Sequence, residues 1–266
     1  MKGFFYIKRK QLSDHNFDDI AQKYITNIYG TSKGKIREVI VWDELLTCLE
    51  MLPTRKLRIL DAGGGFGFFS QKLAALDHDV LLCDISSVML AEAKKQIDAA
   101  QLQQNITIVH CAIEDLPVEL QGSFDLILNH AVLSWLEKPK QTLHTLLKYL
   151  SETGVLSLMF YNKEAQRFHN LVSGNFEFVA KGMLGKKVVK LTPTAPLYPT
   201  DVIDWLAEFK MKIIAKTGVR VLHDYLKERQ LCDDKFALLL QAEQQYCHQE
   251  PYASLGRYMH LTLNRK

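Results

Sequence analysis

Apolar positions along the chain recur at two spacings, and the alternation between them predicts the fold. Short apolar runs alternate with segments in which apolar residues return every three or four positions, as on one face of a helix. We predict strands at 57–61, 79–84, 105–110, 123–129, 154–161, 211–217 and 257–263, and helices at 67–76, 87–100, 138–150, 201–208 and 234–248. This alternation is typical of an α/β fold with a mostly parallel, seven-stranded sheet and helices on both faces.

Two segments lie outside the alternation. Residues 17–29 and 36–51 have helical spacing around a predicted turn at 29–34, so we expect a helical extension before the first strand. After the fifth strand, residues 162–200 contain aromatic residues, glycines, lysines and three prolines. A segment of this length is more often a functional insertion than a plain connection. We expect a single domain that carries this insertion.

Composition limits the class of protein. The chain has 266 residues and is 47% hydrophobic, which suits one elaborated domain. Five cysteines without a C-x-x-C pair are typical of cytoplasmic thiols, and Cys232, Cys247 and His248 match no zinc spacing. No apolar run is long enough to span a membrane. We therefore expect a cytoplasmic protein with no metal and no membrane partner.

A glycine-rich turn follows the first predicted strand. Gly63, Gly65 and Gly67 form G-x-G-x-G, whereas the dinucleotide pattern G-x-G-x-x-G would need glycine at Phe68. Glycines allow a tight turn and a close approach of the backbone to a ligand. With Asp61 before them, these residues resemble the first motif of the Rossmann-like S-adenosylmethionine (SAM)-dependent methyltransferases. A structural turn in another α/β protein is the alternative.

Polar residues end the next three strands. Asp84 ends the second strand, where a carboxylate can accept both hydroxyls of a ribose; it could instead cap the following helix. The methyltransferase resemblance places adenine after the third strand, with Ile113 over the ring and either Glu114 or Asp115 accepting from its amine. His130 ends the fourth strand, near the expected methyl group, although a core role is the alternative.

A closer resemblance covers the chain from about residue 16 to its end. It rests on Tyr-Gly-Thr-Ser-Lys-Gly at 29–34, Thr-Gly-Val-Arg at 217–220, and shorter segments at 16–20, 60–65, 130–133, 156–162, 174–176, 223–225 and 249–258. Together they resemble the bacterial tRNA 5-carboxymethoxyuridine methyltransferases. Residues 1–15 fall outside the resemblance as a variable arm, and the methyltransferase domain is expected over 16–266. Phe66 departs from the acidic residue expected in relatives.

The resemblance implies methyl transfer from SAM to the carboxylate of 5-carboxymethoxyuridine at the wobble position of the tRNA anticodon loop. It implies cofactor contacts from Arg37, Gly63, Gly64, Asp84, Ile113, Glu114 and His130. Arg37 suits the methionine carboxylate, since a guanidinium can bind a carboxylate through two parallel hydrogen bonds; an ordinary surface arginine is the alternative. No Asn/Asp-Pro-Pro-Tyr or Pro-Cys motif for amine or ring-carbon methylation is present.

The acceptor carboxylate should need a cation or donor but no general base, because it is already ionised at neutral pH. Candidates that follow the later strands are Arg220, His169, Tyr161 and Arg257. No single catalytic residue is chosen among them.

The insertion combines basic and aromatic residues. Its lysines are Lys181, Lys186, Lys187 and Lys190, and its aromatic residues include Phe168, Phe176, Phe178 and Tyr198. Such residues could hold phosphates and unstacked bases of a single-stranded loop. A solvated lysine face and aromatic core packing are the alternatives.

Three other functions use the same cofactor motifs. The first is methylation of a small acid or quinone precursor, and the second is a non-catalytic module that binds SAM. The third is a carboxymethyl transferase that uses carboxylated SAM, which would need an extra cation beside the methyl position.

Overall fold

A single seven-stranded sheet organises the computed structural model, which describes residues 31–183, 195–228 and 231–266. The strand order is β3-β2-β1-β4-β5-β7-β6. Strands β1 to β5 are parallel, and β7 runs antiparallel to both β5 and β6. The strands are β1 Arg58–Ala62, β2 Asp79–Asp84, β3 Ile106–His110, β4 Phe124–His130, β5 Leu150–Tyr161, β6 Met211–Val219 and β7 Tyr258–Arg265.

Helices cover both faces of this sheet. They are α1 Ser32–Glu50, α2 Phe68–Ala74, α3 Ser87–Ala99, α4 Pro139–Leu147, α5 Lys163–Val172, α6 Phe176–Ala180, α7 Pro199–Glu208, α8 Asp233–Tyr246 and α9 Tyr252–Leu255. Buried residues of α1, α2 and α3 form one apolar cluster, and those of α4 and α7 form another. The α/β fold, its mostly parallel sheet and its layers are confirmed.

The chain direction across the sheet reverses at β1. Strand β1 lies between β2 and β4, so the crossovers leave it in opposite directions. In parallel α/β sheets, ligands bind beyond the carboxyl ends of the strands at such a point. The carboxyl ends of β1, β2 and β4 carry the glycine turn, Asp84 and His130.

Two local predictions need correction. The predicted turn at 29–34 extends too far along the chain. The hydroxyl of Thr31 accepts the Gly34 N–H, and α1 already begins at Ser32. The predicted helix at 138–150 ends at Leu147, and Leu150 already pairs with β4. The insertion opens with the helices α5 and α6. The predicted helix at 17–29 and the arm at 1–15 lie outside the described residues.

Helix α5 begins where the side chain of Asn162 caps it. The Asn162 amide oxygen accepts the N–H groups of Glu164 and Ala165, and its amide nitrogen donates to backbone oxygens of Ser254 and Gly256. One buried side chain therefore ties the start of the insertion to the segment before β7. Across the described ranges, no helix has the length and apolar character needed to cross a bilayer.

Candidate active site

The glycine turn forms the floor of a cleft at the reversal point. Gly63 and Gly65 have positive φ angles of 75° and 60°, which residues with a Cβ rarely adopt. A Cβ on Gly64 would lie 2.5 Å from the carboxyl group of Asp61 and from a methyl group of Leu82. Glycine is required there because the turn packs directly on the strands beneath it.

Two carboxylates stabilise this turn. Asp61 is buried and accepts the Ser70 hydroxyl at 2.7 Å; burial raises its pKa to about 6, against the effect of that hydrogen bond. Asp84 accepts the N–H groups of Gly65 and Ser86, both at 2.8 Å. Ser86, not Asp84, caps α3, so the helix-cap alternative for Asp84 does not hold. A carboxylate can accept about four hydrogen bonds, so one carboxylate can hold the turn and also accept from a ligand diol.

The part of the cleft expected to hold adenine contains Ile113 and Glu114. Both lie on a short 3-10 turn after β3 and line the cleft, whereas Asp115 is not among the described lining residues. The Thr142 hydroxyl donates to one oxygen of Glu114, which leaves the second oxygen for a ligand. The geometry therefore favours Glu114 over Asp115 as the acceptor for an amine.

Arg37 and His130 are two further residues that line the cleft. Arg37, on α1, is buried and lines the cleft, so it is not an ordinary surface arginine. His130 lines the cleft at the end of β4, and its Nε2 lies 2.8 Å from the Ser157 hydroxyl. Burial, helped by the charges of His260 and Arg37, lowers the pKa of His130 well below its usual value. His130 is therefore neutral at physiological pH.

All seven residues predicted to contact the cofactor line this one cleft. The sequence reasoning missed several apolar lining residues: Phe69, Met89, Trp135, Leu136 and Met159. Each follows or ends a strand near the glycine turn, so position relative to the strands was the only available signal.

Beside the cleft, three arginines surround a pair of tyrosines. The Tyr258 hydroxyl donates to the Tyr161 hydroxyl at 2.9 Å. The guanidinium carbons of Arg37 and Arg220 lie 6.0 and 5.7 Å from the centre of the Tyr258 ring, and that of Arg257 lies 5.9 Å from the centre of the Tyr161 ring. We call these five residues the arginine–tyrosine cluster. It adjoins the cleft because Arg37 belongs to both.

The cluster has a positive electrostatic potential. Burial would raise the pKa of Tyr258, but the charges of the three arginines and the hydrogen bond to Tyr161 outweigh it and lower the pKa. Asp224 pairs with Arg220 through both oxygens and is the acidic group closest to that arginine. Burial opposes ionisation of Asp224 too, yet Arg220 lowers its pKa. The pair is therefore ionised, and its charges largely cancel.

The loop that carries Arg220 is clamped by a buried carboxylate. Glu243, on α8, accepts the N–H groups of Val221, Leu222 and His223 at 2.7, 3.1 and 2.8 Å. Burial raises the pKa of Glu243, and the three N–H donors oppose that rise. Arg220 itself has a positive φ of 63°, which this clamp helps to maintain. Glu243 had no assigned role in the sequence reasoning.

The remaining predicted residues are distributed unevenly. Arg220, Arg257 and Tyr161 lie together in the arginine–tyrosine cluster, whereas the ring of His169 packs against Tyr225, with 6.1 Å between ring centres. Lys181 is exposed and lies 3.5 Å from a carboxylate oxygen of Glu177. Lys186, Lys187 and Lys190 lie outside the described residues. Within the described ranges, no group of three metal-ligating side chains occurs.

Comparison with known proteins agrees with this geometry. Residues 60–158 match the model of the methyltransferase domain family. The chain is 47% identical over 254 residues to the tRNA 5-carboxymethoxyuridine methyltransferase of Escherichia coli O157:H7, covering 96% of this chain and 97% of that protein. The protein of the same name from Escherichia coli K12 is 46% identical with the same coverage.

A solved structure with a similar fold is a SAM-dependent methyltransferase from Thermotoga maritima. It superposes with a TM-score of 0.57 over 94% of this chain and 98% of the other, at 15% identity. At that identity the likeness concerns the fold alone.

Proposed function

The chain belongs to the family of tRNA 5-carboxymethoxyuridine methyltransferases, and from this premise we propose how its own residues methylate the carboxylate of 5-carboxymethoxyuridine at the tRNA wobble position. The products are the methyl ester and S-adenosylhomocysteine. The observation that carries the proposal is the juxtaposition of two sites: a cleft lined by all seven expected cofactor residues and a positive cluster that shares Arg37 with it.

The polar groups that line the cleft match the polar groups of SAM. Asp84 offers carboxylate oxygens to a ribose diol, Glu114 offers one to the adenine amine, and Arg37 offers a guanidinium to the methionine carboxylate. Ile113 covers the ring face, and Gly63, Gly64 and Gly65 line the cleft without a side chain, so a ligand can lie close to the backbone. When bound, SAM supplies an activated methyl group on a positively charged sulfur.

The protein then has to align the acceptor, not to deprotonate it. A carboxylic acid with a pKa of about 4 is an anion at neutral pH. One of its oxygens forms the new bond to the methyl carbon as the carbon–sulfur bond breaks, and no proton moves. Catalysis reduces to orientation and removal of water, which is consistent with a site lined by Phe69, Trp135 and Met159.

Arg257 is the best candidate for holding the acceptor carboxylate. Arg220 already binds Asp224 through two nitrogens, whereas no carboxylate of the described residues pairs with Arg257. Arg257 faces the ring of Tyr161, at the end of the strand that also carries the cleft residue Met159. A guanidinium in this position can bind the incoming anion through two parallel hydrogen bonds.

Substitution of Arg257 tests this assignment. Arg257→Met should raise KM for tRNA bearing 5-carboxymethoxyuridine at least tenfold, as expected for one hydrogen bond to a charged group worth about 1.5–3 kcal/mol. The affinity for S-adenosylhomocysteine should not change. The matched control is Arg55→Met, an arginine before β1 that pairs with Asp125 at 2.7 Å, at the end of the parallel strands opposite the cleft. Equal KM values for Arg257→Met and the control would contradict the assignment.

We also propose that residues 16–266 form one domain in which the insertion at 162–200 holds the tRNA anticodon loop. Phe176 and Phe168 are exposed on the two helices that open it. The insertion returns beside the active site, where the Leu197 N–H donates to the Tyr161 carbonyl at 3.0 Å. Exposed aromatic rings and lysines could stack on bases and contact phosphates of a single strand. We name Lys181, Lys186, Lys187 and Lys190 the insertion lysines.

The cellular test is nucleoside mass spectrometry of tRNA from a strain that lacks this gene. The proposal predicts loss of the methyl ester and accumulation of free 5-carboxymethoxyuridine, and it places the protein in the cytoplasm with its tRNA. An unchanged nucleoside profile, with the ester still present, would contradict it.

A further inference from the structure

A buried chain of polar side chains leads away from the cofactor cleft along one face of the sheet. His130 Nε2 lies 2.8 Å from the Ser157 hydroxyl oxygen, and that oxygen lies 2.7 Å from His260 Nε2. On the far side of the His260 ring, Nδ1 lies 3.7 Å from a carboxylate oxygen of Glu44. The other Glu44 oxygen lies 2.6 Å from Nε2 of His248, whose side chain is 56% exposed.

The sheet register explains why these groups meet. His130 pairs with Met159 of β5, and Met159 pairs with His260 of β7, so the three side chains lie in one row on one face. Ser157 lies two residues before Met159 and points to the same face. Helix α1 packs on this face and brings Glu44 beneath the sheet. Ser157 and His260 are fully buried, and Glu44 is nearly so.

The hydrogen atoms in this chain can be assigned by elimination. Burial lowers the pKa of His130 well below its usual value and that of His260 to about 4, so both rings are neutral and each carries one N–H. The Ser157 hydroxyl has a single proton, so it can donate to one ring and must accept from the other. Two arrangements remain, and they differ in which ring nitrogen of His260 is protonated.

Glu44 decides between the two arrangements. If His260 carried its proton on Nε2, the lone pair of Nδ1 would face the Glu44 carboxylate at 3.7 Å in a buried environment, where repulsion is weakly screened. With the proton on Nδ1, the positive end of the N–H dipole lies near the carboxylate, and at 3.7 Å this is an electrostatic attraction without a hydrogen bond. His260 Nε2 then accepts from the Ser157 hydroxyl, and Ser157 accepts from the Nε2–H of His130.

We propose that His260, Ser157 and Glu44 are positioning residues that hold His130 as the Nε2–H tautomer, so that its Nδ1 offers a lone pair to the cleft and accepts from an ammonium group of the ligand. This role rests on the proposed function for the identity of the ligand. Asp84 and Glu114 are matched to hydroxyls and an aromatic amine, so the α-ammonium group of the methionine part is the remaining donor of SAM. A neutral acceptor there also avoids repulsion of the positively charged sulfur.

The tautomers can be measured without any ligand. In protein labelled with ¹⁵N-histidine, long-range ¹H–¹⁵N spectra distinguish protonated from unprotonated ring nitrogens. We expect Nδ1 of His130 to be unprotonated and Nδ1 of His260 to be protonated. A protonated Nδ1 on His130 in the unsubstituted protein would overturn the proposal, whatever ligand the cleft binds.

Substitution of Glu44 tests the cause. Glu44→Gln removes the charge but keeps the shape, and we expect the opposite tautomers to appear and the affinity for S-adenosylhomocysteine to fall about tenfold. The matched control is His248→Gln, which can still donate to Glu44 from the other side and should leave both readouts unchanged. Retention of the original tautomers in Glu44→Gln would overturn the role of Glu44.

A second pair of variants separates this role from general packing. Ser157→Ala breaks the chain, whereas Thr217→Val removes a buried hydroxyl in the same row that bonds to none of the described residues. We expect Ser157→Ala to bind S-adenosylhomocysteine about tenfold more weakly than the unsubstituted protein. We expect Thr217→Val to bind it with unchanged affinity, and the two variants to have equal thermal stability. Equal affinities would contradict the proposal. Expected tautomers in a protein that fails to bind S-adenosylhomocysteine would instead refute the proposed function alone.

Discussion

Asp84 offers the sharpest test of the cofactor site, through the substitution Asp84→Asn. Its two carboxylate oxygens each accept one backbone N–H at 2.8 Å, from Gly65 and Ser86, and a carboxylate has further lone pairs with which to accept a ribose diol. Asparagine keeps one acceptor oxygen and turns an N–H₂ donor toward the other partners. The loss of about one hydrogen bond to a charged acceptor costs about 1.5–3 kcal/mol, or about 10- to 100-fold in affinity.

Two measurements separate the ligand effect from the effect on the turn. Calorimetry should show weaker binding of S-adenosylhomocysteine by that factor, and denaturant unfolding of the free protein should show a loss of about 1–3 kcal/mol from the unpaired backbone N–H. The control is Asp79→Asn at the opposite end of the same strand, where the carboxylate forms a surface ion pair with Lys56 at 2.8 Å. That exposed pair should contribute little to stability, because solvent screens it. Affinity within twofold of the unsubstituted protein for Asp84→Asn would refute the ribose role.

Three further predictions concern the turn, the buried histidines and the tRNA surface. Gly64→Ala places a Cβ 2.5 Å from the Asp61 carboxyl group, so unfolding in urea should show a loss of about 1–3 kcal/mol; unchanged stability would contradict the tight packing. His260 has a pKa of about 4 in the folded protein and about 6.5 in the unfolded chain. Between pH 7 and pH 5 it stays neutral in the folded protein while the unfolded chain takes up a proton, so the free energy of unfolding should fall by about 2 kcal/mol. A pH dependence no steeper than that of His260→Gln would contradict this. Replacement of the insertion lysines by Gln should reduce the slope of log affinity for tRNA against log salt, by about 0.7 for each phosphate that a replaced lysine had neutralised. The affinity for SAM should not change. An equal slope would show that these lysines form an ordinary solvent-exposed surface.

The cofactor cleft was predictable because its signals are local. The spacing of Gly63, Gly65 and Gly67 identifies a strand-to-helix turn, and Asp84 and His130 end the neighbouring parallel strands. The carboxyl ends of parallel strands all lie at one edge of the sheet, so these residues could be placed near one another without knowledge of the strand order. Arg37 was different, since only the resemblance to a known family indicated that α1 reaches the cleft.

The arginine–tyrosine cluster was not predictable as a unit. It depends on β7 entering the sheet antiparallel between β5 and β6, which brings Tyr161, Arg220 and Tyr258 together from distant parts of the chain. No local spacing encodes that arrangement. The polar chain from His130 to Glu44 has the same origin, because it needs both the cross-strand register and the helix packed beneath it.

The central claim, that the acceptor is a carboxylate oxygen, is tested most directly by the chemical stability of the product. The purified protein is incubated with SAM and tRNA that carries 5-carboxymethoxyuridine, and the nucleosides are analysed by mass spectrometry before and after mild alkali. The account predicts that this nucleoside gains one methyl mass, and that alkali removes it, because an ester hydrolyses where ether, N-methyl and C-methyl groups persist. A methyl group that survives alkali, or one transferred equally to tRNA without the carboxymethoxy group, would contradict the account.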